Sequence, residues 1–198
     1  MTDLPLNSHF LAQLARMKLI ERWPLMRSQF RENVAEHSLM VAMVTHLLVS
    51  IENRLFHGSL DSGHAVLMAL YHDSSEVFTG DLPTPVKYAS TALRDAYKDL
   101  EAQAEQRLLA LLPKALQVDF DAFLLSHKKD AHYEHIVKDA DVLCAYIKCL
   151  EELSAGNQEF IQAKAKLEQT LQERARAPLN YFIQTFLHSM RLSLDELS

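Results

Sequence analysis

The run from Asn33 to Arg54, NVAEHSLMVAMVTHLLVSIENR, decides the class of fold. Asn33 is followed three residues later by Glu36, which is the spacing of a reciprocal helix cap, although Asn stands where Ser or Thr is usual. From this cap the pattern predicts one long helix to about Arg54. Its apolar part, Leu39 to Ile51, is shorter than a membrane span and carries polar interruptions, so a core helix is the better interpretation.

The rest of the chain is also predicted to be helical. Only four glycines occur in 198 residues, fewer than the turns of a strand-rich fold require. A first helix is predicted from about Leu11 to near Trp23, and others over about residues 62–72, 90–112, 116–126, 134–155, 158–176 and 178–188. Residues 73–87 are expected to be irregular because they contain prolines. Without a repeat or linker, the sequence predicts an all-α protein forming a single domain over residues 1–198.

Composition and charge narrow the class of function. The chain is 48% hydrophobic and 23% charged, as expected of a globular protein. Its net charge of −6 disfavours a DNA or RNA polymer as the partner, but a small phosphorylated substrate is compatible with it. Cys144 and Cys149 point about 140° apart on a helix, which argues against a disulfide. Residues 1–10 lack a signal-peptide pattern, so we expect a cytoplasmic protein.

The dipeptide His72–Asp73, with Glu76 just beyond it, is the most informative candidate for chemistry. Adjacent side chains on a regular helix diverge by about 100°, so both can reach one ion only over a helix end or between helices. Gly80 and Pro83 shortly downstream favour a helix end. Glu76 lies three and four residues after the pair and would fall on the same side of a continued turn. Alone, a His–Asp dipeptide is most often a chance occurrence.

Two further residues give this dipeptide more weight. His37 lies near the start of the predicted long helix, and Asp141 lies within an apolar helix. An aspartate between apolar neighbours is costly unless it is paired, capped or bound to a metal, so we interpret Asp141 as functional. Asp139, two residues earlier, is interpreted as an exposed residue accompanied by Lys138.

Together these residues form a metal-binding donor set. Two imidazoles and two carboxylates suit Mn, Fe, Co, Ni or Zn better than Ca. The sequence therefore predicts one divalent transition metal held by His37, His72, Asp73 and Asp141. Such an ion would lower the pKa of a bound water and offset the charge of a phosphate.

The order His37, His72–Asp73, Asp141 resembles the H…HD…D signature of HD-domain phosphohydrolases. Longer sequence segments resemble those of the bacterial HD-domain 5′-deoxynucleotidases. The segments are RWPLMR (22–27), NVAEHS (33–38), YHDSSE (71–76), TGDLPTPVK (79–87), DAD (139–141), CAY (144–146) and LSLDE (192–196). The four ligand positions alone are moderately specific for the HD superfamily. The segments 22–24 and 80–87 narrow the resemblance to the 5′-deoxynucleotidases. The resemblance spans nearly the whole chain, with no departure at a motif position.

This resemblance implies an HD-domain helical bundle, a homodimer, and hydrolysis of deoxyribonucleoside 5′-monophosphates to nucleoside and phosphate. It implies that Glu76 and Asp81 are acidic residues placed beside the reacting phosphate. It also implies that Arg22 contacts the phosphate, for which a forked guanidinium is suited. Trp23 would crowd the 2′ position of the sugar and so exclude a ribose hydroxyl by steric clash.

Some of these residues have a second interpretation. Without the resemblance, Trp23 would be assigned to the core. Arg27 or Arg31 could serve the phosphate in place of Arg22. Lys87 could contact phosphate or could merely cap its loop, and we carry it forward as a substrate-binding candidate.

Other functions stay open as well. His127, His132 and His135 lie in the interval where two-metal HD phosphodiesterases carry extra ligands, although the charged neighbours favour an ordinary loop. A related alternative is an HD hydrolase acting on nucleoside triphosphates or on a cyclic or signalling nucleotide. A different class is a non-catalytic nucleotide-binding sensor, against which the complete ligand set argues.

Overall fold

The computed structural model describes residues 7–197, which form helices joined by loops and one isolated bridge between Glu21 and Asn33. The prediction of an all-α protein is thereby confirmed. The first six residues, part of the segment without a signal-peptide pattern, lie outside the described residues. In chain order the α-helices are α1 (Phe10–Leu14), α2 (Val34–Leu55), α3 (Ser62–Leu70), α4 (Glu76–Thr79), α5 (Thr84–Lys87), α6 (Thr91–Ala110), α7 (Lys114–Gln117), α8 (Asp121–Leu124), α9 (Ala131–Ser154), α10 (Ile161–Arg174) and α11 (Ala177–Phe186).

Short 3-10 helices complete the secondary structure. They are Ala15–Leu19, Ser126–Lys128, Gln158–Phe160, Leu187–Arg191 and Leu194–Glu196. The first of them continues α1, so that the helical segment predicted from Leu11 changes geometry and ends at Leu19.

The predicted long helix is confirmed as α2, together with its cap. The Glu36 backbone N–H donates to Asn33 Oδ1 at 3.0 Å, and Glu36 Oε2 accepts from the Asn33 backbone N–H at 3.2 Å. Asn therefore serves in a cap that more often uses Ser or Thr. Helix α2 is long and apolar enough to cross a membrane by composition alone, with a mean hydropathy of 1.5, but 56% of that window is buried within the protein.

The prediction of one helix over residues 116–126 is wrong. The chain instead forms the two four-residue helices α7 and α8, with a turn between them. The reason is tertiary packing of Phe120, whose ring makes edge-on contacts with Phe10 at 5.3 Å and Tyr71 at 5.9 Å. These contacts turn the chain where helical periodicity alone would continue it.

The described chain divides into two compact units. The first contains residues 7–25, Arg31–Ser38 and Leu70–Asp130, and the second contains Met26–Phe30, Leu39–Ala69 and residues 131–197. The core of the first unit is formed by α1, α6, α8 and their flanks, and its buried members are Phe10, Leu108, Leu109, Leu112, Leu124 and Leu125. Tyr71, Val77 and Phe78 pack against it. These three residues flank His72–Asp73, so the core holds that dipeptide from both sides.

The second unit is built around α9, which packs against α10 and against the 3-10 helix Leu187–Arg191. Its largest fully buried apolar side chains include Leu48, Leu143, Phe160, Leu179 and Phe182. This helix also buries three charged side chains, Asp139, Lys148 and Glu152. Buried charges on a core helix require partners, and each of these has one.

Candidate metal centre

Two short segments of the first unit run antiparallel just before α2. The Arg22 N–H donates to the Glu32 carbonyl at 2.9 Å, and the Val34 N–H donates to the Ile20 carbonyl at 3.0 Å. This pairing places Arg22 beside Glu32. His37 follows on the first turns of α2, where it is fully buried.

The dipeptide His72–Asp73 lies in a turn between two helices. Helix α3 ends at Leu70, and α4 begins at Glu76. The predicted helix end is therefore confirmed, two residues earlier than expected. Because the backbone is no longer helical there, the two side chains can approach each other, and His72 Nε2 lies 3.0 Å from Asp73 Oδ2.

His37, His72 and Asp73 converge within the first unit. The two imidazole centroids are 5.3 Å apart, and a ring nitrogen of each lies within 4.8 Å of the other. Asp73 Oδ2 is also 3.8 Å from His37 Nε2. Two nitrogen ligands of one zinc ion are bound at about 2.0–2.1 Å each, so they lie at most about 4 Å apart. These three side chains thus have the donor chemistry and roughly the spacing that a divalent transition metal needs.

Arg22 lies between two carboxylates of the first unit. Its Nε donates to Glu32 Oε2 at 3.2 Å, its Nη1 donates to Asp73 Oδ2 at 3.4 Å, and its side chain is only 13% exposed. The alternatives differ, since Arg27 is 93% exposed and Arg31 is 85% exposed. Arg22 contacts Asp73, which in turn lies beside both His37 and His72.

Trp23 adopts an unusual backbone conformation. Its φ of +58° lies in the left-handed region, which bulky residues rarely occupy. The indole Nε1–H donates to Glu32 Oε2 at 3.1 Å. The residue is only partly buried, so the alternative assignment of Trp23 to the core is wrong. Backbone strain of this kind concentrates at functional sites.

Glu76 and Asp81 are acidic groups with raised pKa values. Burial, then the negative charges of Asp73 and Asp81, raise the pKa of Glu76 to about 9, although Arg22 and Lys87 oppose this shift. Glu76 Oε2 is buried and has no hydrogen-bond partner among the described residues. Burial also raises the pKa of Asp81, while the Arg22 charge and the Trp23 backbone N–H oppose that rise. Carboxyl groups with raised pKa values are typical of sites of acid–base chemistry.

Gly80 connects these two acids. It has a φ of +72°, and its N–H donates to the Glu76 carbonyl at 2.8 Å. Nothing lies within 4 Å of a Cβ built at this position, so the requirement for glycine comes from the backbone angle rather than from space. The turn ends α4 and directs the chain into Asp81.

Lys87 is held at the end of α5. Its Nζ donates to Glu101 Oε1 at 2.8 Å and lies 4.7 Å from the centroid of the Tyr97 ring. Burial lowers the pKa of Lys87, but the hydrogen bond and charge of Glu101 outweigh this and raise it. Lys87 is therefore a cation at the end of α5 that Glu101 and Tyr97 of α6 hold in position, rather than only a loop cap.

The two aspartates of α9, in the second unit, have different environments. Asp141 is partly buried and accepts from Lys138 Nζ at 2.7 Å. The interpretation of Asp139 as exposed is wrong, because only 2% of it is accessible. Arg174 Nε donates to Asp139 Oδ1 at 2.5 Å, and Arg176 Nε donates to Oδ2 at 3.0 Å. Arginines from the α10–α11 junction made this burial possible, and the local sequence does not reveal them.

His127 lies in the 3-10 helix Ser126–Lys128, while His132 and His135 lie on the first turns of α9. Among residues 7–197, no group of three or more His, Cys, Asp or Glu side chains suited to a metal includes any of these three histidines. The described residues thus give no support to a second metal at this segment.

Glu32, Tyr97 and Glu101 were missed by sequence reasoning. Glu32 lies in the charged run Arg31–Glu32–Asn33, which is typical of a solvated loop. Only the antiparallel pairing of residues 20–22 with 32–34 brings it to Arg22 and Trp23, and no local pattern signals that pairing. Tyr97 and Glu101 are one helical turn apart on α6, so they share a face, but the sequence does not show what that face contacts.

Comparison with known proteins supports the HD-domain class. The family model described as 5′-deoxynucleotidase YfbR-like matches residues 9–190. A 5′-deoxynucleotidase from Vibrio parahaemolyticus is 58% identical over 192 residues, which cover 97% of this chain and 99% of that protein.

Solved structures agree on the fold. An HD-domain phosphohydrolase from Listeria innocua superposes with a TM-score of 0.80 at 27% identity, covering 92% of this chain and 88% of that one. A cyanophage S-2L HD phosphohydrolase, solved with dA and one catalytic Zn²⁺, gives a TM-score of 0.63 at 18% identity, covering 91% and 95%. The predicted HD-domain helical fold is confirmed by these matches.

Proposed function

The chain belongs to the YfbR-like 5′-deoxynucleotidase family, and we propose that it removes the 5′-phosphate from deoxyribonucleoside 5′-monophosphates to give deoxynucleoside and phosphate. One observation carries this proposal beyond the family match. In the first unit, Arg22 contacts Asp73, and Asp73 in turn contacts both His72 and His37. A phosphate-binding cation thus adjoins a metal-ligand cluster.

We propose that the enzyme uses one divalent transition metal, with Co, Mn, Zn, Ni and Fe all suited to the donors. The ligands would be His37, His72, Asp73 and Asp141, following the H…HD…D order. When bound, the ion supplies Lewis-acid chemistry, which lowers the pKa of a water and offsets phosphate charge. Asp141 is a partly buried carboxylate between the apolar residues Ala140 and Val142 of α9, which supports a functional role.

The remaining residues would bind the substrate and move protons. Arg22 binds the phosphate oxygens and stabilises the charge that develops on the transferring phosphoryl group. Glu76 would orient the water that attacks phosphorus or, in its ionised form, accept the proton of that water, and Asp81 would assist at the departing 5′ oxygen. Their raised pKa values support proton-transfer roles. Lys87, held by Glu101, would add a second cation for the phosphate.

Trp23 would set the preference for deoxyribose. An indole fixed against the 2′ carbon leaves no room for a hydroxyl and so excludes ribonucleotides by steric clash. Its strained backbone and its hydrogen bond to Glu32 support a defined orientation.

We further propose that both units serve one catalytic domain, since the family match at residues 9–190 covers parts of both. A homodimer is supported by exposed apolar side chains on α2, where Leu39 is 55%, Met40 38% and Met43 51% accessible. The net negative charge supports a free nucleotide, rather than a nucleic-acid polymer, as the substrate.

The decisive experiment measures phosphate release from paired deoxyribo- and ribonucleoside 5′-monophosphates across several divalent metals. Metal-dependent release of phosphate and deoxynucleoside is expected. Pyrophosphate, triphosphate or a nucleotide product would instead identify another HD hydrolase, and nucleotide binding without turnover would identify a sensor. In the same assay, Trp23→Ala should raise ribonucleotide turnover if the indole is the sugar filter.

A further inference from the structure

Glu32 receives hydrogen bonds from two functional side chains on a single oxygen. Its Oε2 accepts from Arg22 Nε at 3.2 Å and from Trp23 Nε1 at 3.1 Å. Its other oxygen, Oε1, lies 3.9 Å from His37 Nδ1. Only 17% of the side chain is exposed, so water competes little for these charge-assisted contacts. One carboxylate thereby contacts the residues proposed for sugar, phosphate and metal.

The backbone fixes where this carboxylate stands. The Arg22 N–H bonds the Glu32 carbonyl, and Glu21 pairs with Asn33 in the adjacent bridge. These bonds use backbone atoms only. A substitution of the Glu32 side chain therefore leaves the antiparallel pairing in place and removes the side-chain contacts alone.

Trp23 depends on Glu32 for its ring orientation. An indole has one hydrogen-bond donor, and rotation about χ2 of tryptophan is broad, so the ring has two broad orientations that place this donor on opposite sides. The bond to Glu32 Oε2 selects one of them. Because Trp23 also holds a left-handed backbone angle, the surrounding contacts must maintain its conformation.

We propose that Glu32 is a positioning residue that orients the Trp23 indole for sugar discrimination and the Arg22 guanidinium for phosphate binding. The inference rests on the function proposed above. Glu32 does not touch the reacting atoms and acts through its two neighbours. Without its carboxylate, Trp23 samples a second orientation that admits a 2′-hydroxyl, and Arg22 loses its contact with Glu32.

The test compares Glu32→Ala and Glu32→Gln with a matched control, Glu21→Ala. Glu21 is exposed and lies on the same pair of segments, 3.9 Å from Arg31. The readout is the ratio of kcat/KM for a deoxyribonucleotide to that for the matching ribonucleotide. Glu32→Ala should lower this ratio roughly tenfold, the factor that one strong hydrogen bond carries, and raise KM for the deoxyribonucleotide. Glu32→Gln retains an acceptor oxygen and should largely rescue the ratio, and Glu21→Ala should not change it.

A second variant tests whether Glu32 acts through the indole. Trp23→Phe keeps an aromatic ring but removes the N–H donor, so the effects of Glu32→Ala and Trp23→Phe on the ratio should not add in the double variant. Additive effects, or an unchanged ratio in Glu32→Ala, would overturn the inference while leaving the phosphatase activity of the wild type intact. A wild type that releases no phosphate would instead refute the proposed function.

Fluorescence gives a readout that needs no activity. Trp23 is the only tryptophan in the chain, so the intrinsic emission reports on this indole alone. Glu32→Ala should increase the quenching of this emission by iodide, and Glu32→Gln and Glu21→Ala should leave it near the wild-type value. If Glu32→Ala and wild type are quenched equally, Glu32 does not hold the ring.

Discussion

Two glutamates, the partly buried Glu76 of the first unit and the fully buried Glu152 of the second, have opposite electrostatic environments. Both oxygens of Glu152 accept hydrogen bonds, from Lys148 at 2.6 Å, Asn157 at 2.7 Å and two backbone N–H groups at 2.9 and 3.0 Å. Burial alone would raise the pKa of Glu152, but these donors outweigh it and lower the pKa to about 2. Glu76 Oε2 has no such partner within the described chain, and the pKa of Glu76 is raised to about 9.

The difference shows that the hydrogen-bond donors around a carboxylate, more than its burial, separate a stabilising acid from a reactive one. The donors around Glu152 include the backbone of Gln29 and Phe30, so this carboxylate ties a loop to α9. A buried acid without such donors costs stability, and a fold retains it where its chemistry is used. Glu76 therefore indicates function, and Glu152 indicates structure.

The largest expected effect contrasts the two aspartates of α9. Asp141→Ala removes a proposed metal ligand and should lower metal-dependent turnover by more than about a thousandfold, with little loss of stability. Asp139→Ala leaves Arg174 and Arg176 without their shared carboxylate and should instead lower the free energy of unfolding by about 3 kcal/mol. Phosphate release per folded molecule and urea unfolding measure the two quantities. Full activity of Asp141→Ala would exclude it from the metal site.

Glu76→Gln tests the proposed reactive role of Glu76, the first of the two glutamates compared above. The amide cannot exchange a proton at neutral pH, so turnover should fall by about a hundredfold to ten-thousandfold. At neutral pH the metal-stripped variant should be about as stable as the metal-stripped wild type, because a carboxyl with a pKa of about 9 is already mainly neutral there. Urea unfolding of the two apo proteins checks this. A clear loss of stability would place Glu76 with Glu152 as a structural acid.

The sequence predicts the features of the site that depend on near neighbours, but not those that depend on distant residues. The Asn33–Glu36 cap and the helix end at His72–Asp73 depend on residues within a few positions, and both are confirmed. The burial of Asp139 depends on arginines 35 and 37 residues away, and the environment of Glu32 depends on a backbone pairing across a loop. Spacing rules describe neighbours on one element, so they cannot supply these distant partners.

Glu152→Gln tests the structural member. It leaves the buried Lys148 ammonium without its carboxylate, and the free energy of unfolding should fall by about 3 kcal/mol. Activity per folded molecule should change little, because Glu152 contacts no residue proposed for chemistry. Lys164→Met is a matched control, since its ion pair with Glu168 is a partly exposed helix pair worth about 0.5 kcal/mol. Equal losses of unfolding free energy in both variants would show that the Glu152 network stabilises the fold no more than a partly exposed ion pair does.

The low pKa of Glu152 also predicts a pH dependence. Its folded-state pKa of about 2 lies below the ordinary value of 4.5, so the stabilisation is complete above pH 4.5 and declines as the pH falls toward 2. The difference in unfolding free energy between wild type and Glu152→Gln should therefore shrink with acidification, by up to about 1.4 kcal/mol per pH unit. Urea titrations between pH 6 and pH 3 measure it, and a constant difference would contradict the assigned environment.

The smallest expected effect concerns Lys87. This residue is ion-paired, as in the Lys148–Glu152 network, but it is also a candidate for substrate binding, as is expected of a residue in the site of Glu76. Like Lys148 it is paired with a glutamate, Glu101, but both side chains are about a quarter exposed, so the pair should contribute less than about 1 kcal/mol. Lys87→Met should thus hardly change unfolding, while KM for the deoxyribonucleotide should rise several-fold if the ammonium contacts phosphate. Glu101→Ala keeps the cation but removes its hydrogen-bond acceptor, so it should have a weaker effect on KM. If KM is unchanged and the free energy of unfolding falls, Lys87 has a structural role like that of Lys148, and Arg22 is the phosphate-binding cation.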